Sequence, residues 1–126
     1  MQENAQLTDL PQGIFGDVSF EEIFIKWAWN LETIHPDAIL QSKDRLRRLQ
    51  INSYYENLDN FPWSSLSEMV IIDALDLMFN ALTTISAFES PTLELLTLDD
   101  NRISTVEAGW QTPNLRYLLM GESYTY

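Results

Sequence analysis

The sequence predicts an α/β solenoid: a curved parallel β-sheet with a mostly irregular or short-helical convex side, wound in about five repeats. Two observations lead there. Leu93, Leu96, Leu98, Asn101, Ile103 and Val106 spell L-x-x-L-x-L-x-x-N-x-I-x-x-V, and 21 positions earlier Ile72, Leu75, Leu77, Asn80, Leu82 and Ile85 spell it again without a gap. Within each phrase the L-x-L core alternates with the period of a strand. An amphipathic helix explains neither that alternation nor a 21-residue recurrence.

The remaining copies are looser. Phe20, Ile23 and Ile25 open one phrase, and Leu31 and Ile34 close it one residue late. Leu46, Leu49 and Ile51 open the next, where Leu58 and Phe61 arrive two residues late, so the stretch from Asn52 to Asn57 must bulge around Tyr54 in the asparagine slot. Leu115, Leu118 and Met120 open the last, with Ser123 in that slot. Starts near 20, 46, 72, 93 and 115 give spacings of 26, 26, 21 and 22 residues, the period of the leucine-rich-repeat family, which the phrase resembles. The whole of 1–126 is expected to form one such domain, with 1–19 as a partial N-terminal repeat or cap.

Each element has a reason. The leucines of L-x-L point inward from a short strand, and the next strand stacks about 4.8 Å away. The asparagine turns the chain out of the sheet, because its amide both donates and accepts and can satisfy backbone groups of adjacent turns. Asn80 and Asn101 should form such a ladder. The return segments carry hydrophobic anchors: Leu7 and Leu10 with Ile14 and Phe15; Ile34 with Ala38 and Ile39; Phe61 and Trp63 with Leu66; Ile85 with Phe88; Val106 with Trp110. Pro11, Pro36 and Pro62 sit where the chain leaves the sheet and needs no ladder donor. A repeat array needs polar caps. None is recognisable after Gly121, so that end should expose a strand edge and apolar neighbours. This is expected of a fragment, a short isoform or a protein that self-associates through that edge.

Composition narrows the function. A net charge of −12 and a pI of about 4.1 oppose binding to nucleic acid and to anionic membranes. The absence of cysteine removes disulfides, thiolate metal sites and cysteine nucleophiles. The first residues lack the basic and apolar regions of a signal peptide, and no apolar run has the length of a membrane helix, about 18 residues.

The non-leucine strand positions should form the concave face. There Phe24, Lys26, Trp27, Gln50, Asp76, Met78, Phe79, Leu95, Asp99 and Tyr117 are the candidate partner-binding residues. Leu119 adds apolar surface, and Asp100 and Glu122 extend an acidic side. An exposed patch of aromatic and methionine side chains marks a contact surface. The alternative is that some of these aromatics fold over the sheet edge or cover an uncapped end.

Candidate chemistry is thin. His35, the lone histidine, sits on an outer turn beside Pro36 and Asp37, which suits a surface or capping role. It cannot build a histidine-rich metal site. Glu21-Glu22 and Asp99-Asp100 are adjacent pairs whose side chains should diverge, and the latter lacks the further oxygen ligands of a calcium loop. Lys43, Arg45, Arg47 and Arg48 form the basic cluster, read as internal charge balancing. There is no glycine-rich phosphate loop and no nucleophile elbow. No metal and no cofactor are expected. An enzyme would require Asp76, Asp99 and Lys26 to converge in a deep pocket.

Three longer stretches, Gly13 to Ile25 (GIFGDVSFEEIFI), Leu31 to Ile39 (LETIHPDAI) and Asn101 to Leu115 (NRISTVEAGWQTPNL), resemble the arthropod group related to the non-catalytic subunit of oplophorus luciferase. The resemblance implies a non-enzymatic, extracellular scaffold or partner subunit. It carries over no catalytic residue. This chain departs in lacking a signal peptide and later repeats, and in holding Ala28, Tyr54 and Ser123 at asparagine positions.

Overall fold

The computed structural model describes residues 8–16, 18–28, 30–54 and 57–121. Strands β1 (Asp9–Leu10), β2 (Glu22–Lys26) and β3 (Thr33–Ile34) are followed by helix α1 (Pro36–Leu40) and β4 (Arg48–Asn52). A 3₁₀ helix (Trp63–Glu68) precedes β5 (Ala74–Asp76), β6 (Thr84–Ile85), β7 (Leu95–Thr97), β8 (Thr105–Val106) and β9 (Tyr117–Leu119). The chain winds as a parallel β-solenoid of about four turns with little helix, and its main sheet runs β2-β4-β5-β7-β9.

The leucine phrases set the register. Glu22 lies opposite Arg48, which lies opposite Ala74, then Leu95, then Tyr117, steps of 26, 26, 21 and 22 residues. One position on, Ile23, Leu49, Leu75, Leu96 and Leu118 form a single inward row. Their exposures of 6, 1, 0, 0 and 43% show where that row is covered and where it is open. All the apolar residues of the two matching phrases are buried except Val106.

Val106 corrects an expectation. It was expected as a buried anchor but is 51% exposed, because no described coil stacks on the far side of β8. Its counterpart Ile85, covered by the following coil, is fully buried. The opposite end is better covered, since Ile14, Phe15 and Phe20 pack against the core there and the Phe15 and Phe20 rings meet edge to face at 5.3 Å.

Two further parallel ladders run on the return side, β1-β3 and β6-β8. At two residues each they are too short for alternation to announce them. A line of rings packs between coils on this side: Trp63 lies 5.1 Å from Phe88, and Phe88 lies 4.8 Å from Trp110. His35 caps α1, its Nδ1 accepting from the backbone N–H of Asp37 at 3.1 Å.

Asn80 and Asn101 are buried where the chain leaves β5 and β7. Asn80 Nδ2 donates to the carbonyl of Leu77 in its own coil (2.9 Å) and of Ile51 in the preceding one (2.8 Å). Asn101 Nδ2 does the same with Leu98 (2.9 Å) and Leu77 (2.8 Å). Their Oδ1 atoms accept from Ser53 N–H (2.8 Å) and Leu82 N–H (3.0 Å). The mismatch between these last two partners locates the bulge. Trp27, Phe79 and Asp100 each precede the asparagine slot and have φ of 59°, 58° and 59°, and Tyr54 shares that conformation at 65°. Tyr54 therefore does not fill the slot, as its sequence position suggested, but stands one place before it. Ser53 is the extra residue.

Candidate partner-binding face

The candidate residues divide between two places. Phe24, Gln50, Asp76, Leu95 and Tyr117 line one groove of about 640 Å3 across the face of the main sheet. Alternation along β2, β4, β5, β7 and β9 sends them to the side opposite the leucine row. Lys26, Trp27, Met78, Phe79 and Asp99 lie outside the groove, at or just past the strand ends. Phe24, Trp27 and Tyr117 are exposed, and the other seven are half-buried. Asn52 and Ser53, at the end of β4 and just past it, are buried. Asn52 donates from Nδ2 to the Met78 carbonyl (2.8 Å) and accepts from Gln50 Nε2 (2.7 Å). Glu122 lies outside the described residues.

At the strand ends the aromatics stack. Trp27 and Tyr54 lie 4.0 Å apart at 16°, and Tyr54 and Phe79 lie 4.8 Å apart at 11°. The common positive φ brings the rings into line, since each leaves an equivalent turn in the same direction. That conformation is unfavourable for bulky residues, and its recurrence in successive coils makes it a property of the turn. Aromatic stacking contributes about 0.5–1.5 kcal/mol per pair and offsets part of the strain. Trp27 and Phe79 are thus engaged with Tyr54 along the ends of β2, β4 and β5. Asp100 follows them in the same conformation and ends the row of rings with a carboxylate.

Comparison with known proteins finds a relative. The chain is 30% identical over 114 residues to the Oplophorus-luciferin 2-monooxygenase non-catalytic subunit of Oplophorus gracilirostris. The alignment covers 89% of this chain and 31% of that protein, so the chain spans about a third of its relative's length. No protein-family model matches. No solved structure matches.

The groove also holds residues outside the candidate set: Arg48, Asp73, Glu94 and Arg116. Aligning the phrases finds them. Glu21, Arg47, Asp73, Glu94 and Arg116 occupy the place before each strand's first face residue, and each backbone N–H bonds the previous member's carbonyl at 2.7–2.9 Å. The row is charged throughout. Arg116 and Glu94 form an exposed ion pair at 3.7 Å, and Arg48 lies in register beside Glu22. The Glu21-Glu22 and Arg47-Arg48 pairs therefore lie side by side on neighbouring coils. Arg45 turns elsewhere, donating from Nη1 to the Ser19 carbonyl at 3.0 Å.

Asp76, Asp99 and Lys26, whose convergence an enzyme would require, do not share one pocket. The groove contains Asp76 but neither Asp99 nor Lys26. One oxygen of Asp76 accepts from Met78 N–H (3.0 Å) and braces the turn after its own strand, whereas one of Asp99 accepts from Gly121 N–H (2.6 Å), past β9 in the following coil. Among the described residues, no three His, Cys, Asp or Glu side chains gather as metal ligands, and no helix is long and apolar enough to cross a membrane.

Proposed function

We propose that the chain is a leucine-rich-repeat module of about five repeats, non-enzymatic, that binds a protein partner through its concave face in the manner of a non-catalytic subunit. The observation that carries this is the groove bounded at its two ends by exposed rings, Phe24 and Tyr117, with Arg48, Gln50, Asp73, Asp76 and Glu94 among the side chains between them. Aromatic anchors framing a polar floor are what protein interfaces use. The likeness to a non-catalytic subunit supports the same reading.

Photo-crosslinkers placed one at a time on the protein isolated with its partner test it. Crosslinks from Gln50 and Leu95, but not from exposed Glu68 on the return side, are expected. The double variant Phe24→Ala/Tyr117→Ala should bind the partner about ten- to thirtyfold more weakly with an unchanged melting temperature. Crosslinking from Glu68 alone, or full affinity in the double variant, contradicts the reading.

A second reading has its own observation. Tyr117, Leu118, Leu119 and Val106 are all exposed at the open side of β9 and β8, and an unpaired strand with apolar neighbours invites another strand. Self-association there predicts scattering mass that grows with concentration and stops growing in Leu118→Lys. A wild-type mass independent of concentration excludes it.

A further inference from the structure

The main sheet has a free edge at each end. In the order β2-β4-β5-β7-β9, the outer sides of β2 and β9 pair with no strand among the described residues. Every pairing between them is parallel, so the two edges are complementary halves of one ladder. The ends also differ in what they carry. Strands β2, β5 and β7 are each followed by a return strand, β3, β6 and β8. Among the described residues, β1 is a return strand with no main-sheet strand before it, and β9 is a main-sheet strand with no return strand after it.

A pocket of about 160 Å3 marks the edge of β2. Phe15 and Phe20 line it together with Glu22, Ile23, Phe24 and Ile25. Alternation sends Glu22 and Phe24 to one side of the strand and Ile23 and Ile25 to the other. A pocket that touches all four, and no residue of β4, therefore runs along the free edge. At the other end Tyr117, Leu118 and Leu119 are all exposed. The charged row ends in a matching way. Each of its members, Glu21, Arg47, Asp73, Glu94 and Arg116, donates its N–H to the carbonyl of the one before. The Glu21 N–H and the Arg116 carbonyl are left over, without such a bond among the described residues, and these two side chains carry opposite charge.

From these features, and resting on the reading that the open side of β9 and β8 takes up another copy, we infer that copies stack head to tail, β9 of one lying parallel beside β2 of the next. The register of the sheet, continued by one step, puts Tyr117 beside Glu22, Leu118 beside Ile23 and Leu119 beside Phe24 of the next copy. Leu118 then extends the buried row into the pocket that Phe15 and Phe20 line. The Glu21 N–H of the next copy donates to the Arg116 carbonyl, and the two side chains pair. On the return side β1 of the next copy follows β8, short of one bond because Pro11 has no N–H. The strand of one end and the return strand of the other thus complete a single coil. The contact is heterologous, so each added copy leaves a free β9 and the assembly does not stop at two. The net charge of −12 opposes it, and added salt screens that repulsion.

Cysteine cross-linking tests the arrangement on the whole 126-residue chain, which has no cysteine of its own. Neighbouring strands lie about 4.8 Å apart, within the Cα separation that a disulfide spans. Samples are oxidised at about 0.5 M salt, at a concentration where the scattering mass has risen. Glu22→Cys mixed with Tyr117→Cys should give a cross-linked dimer, and each variant alone should give none. Both positions are exposed, so both variants should melt as the wild type does. The double variant should give a ladder of trimers and larger species. Dimers from Tyr117→Cys alone, or growth in mass without a cross-link in the mixture, overturn head-to-tail stacking while leaving self-association standing. A wild-type mass independent of concentration overturns both.

Discussion

Leu75→Ala is expected to lower the unfolding free energy by about 3–4 kcal/mol, while Leu118→Ala, at the equivalent position two coils on, should cost under about 1 kcal/mol. Leu75 is fully buried in the central strand and Leu118 is 43% exposed. The two substitutions remove the same atoms, so the difference measures what a neighbouring coil on each side contributes. A coil array draws its stability from contacts between successive units, and Leu75 has a coil on both sides whereas Leu118 has a described one on only one. Urea unfolding followed by circular dichroism gives both values. Equal losses would mean that the row is not stacked as described.

Asn80→Ala should be of similar size, about 2–4 kcal/mol, although it removes no apolar surface. The substitution leaves the carbonyl of Ile51 and the N–H of Ser53 without their side-chain partner, while the Leu77 carbonyl keeps Asn101 Nδ2. Each buried group so orphaned costs about 1–3 kcal/mol, reduced where water can enter. Asn114, whose amide makes one exposed bond to the Pro91 carbonyl, is the control, and Asn114→Ala should fall within about 0.5 kcal/mol of wild type. Asn80→Asp should resemble the alanine variant, because a carboxylate keeps the acceptor for Ser53 but presents negative charge to two carbonyls. Wild-type stability in Asn80→Ala would show that the amide does not bridge the coils.

These two positions also show how far the residues could be read in advance. Leu75 and Asn80 belong to phrases that recur without a gap, and a period maintained for 21 residues specifies both register and inward face. The order of the main strands and the steps of 26, 26, 21 and 22 residues followed from the leucines alone. Tyr54 marks where this fails. One residue was inserted before it, and sequence cannot say whether an insertion shifts the turn or bulges the strand behind it. The backbone resolves this by placing Tyr54 at φ 65° with Trp27 and Phe79, a conformation that their bulk gives no reason to expect. The rings then stack, and two residues read as partner anchors pack against Tyr54.

The candidate face was half legible for a related reason. Alternation names the side of the sheet but not the depth at which each side chain stands, so ten residues read as one surface separate into a groove and a rim. Asp73, Glu94 and Arg116 precede the strands, where alternation has not begun, and only the alignment of successive coils reveals that they form a row. Val106 was misjudged because its burial depends on the next coil, not on its own phrase.

The central claim is that residues 72–101 run as parallel coils held edge to edge. The most direct measurement is of scalar couplings across hydrogen bonds, which identify donor and acceptor without reference to a fold. Couplings are expected from the Leu95 amide to the Asp73 carbonyl, from the Leu77 amide to the Thr97 carbonyl and from the Phe79 amide to the Asp99 carbonyl, across contacts of 3.0, 2.9 and 3.1 Å. Couplings between residues four apart within this stretch, or a pairing order that runs backwards along one strand, would contradict the solenoid and the concave face built on it.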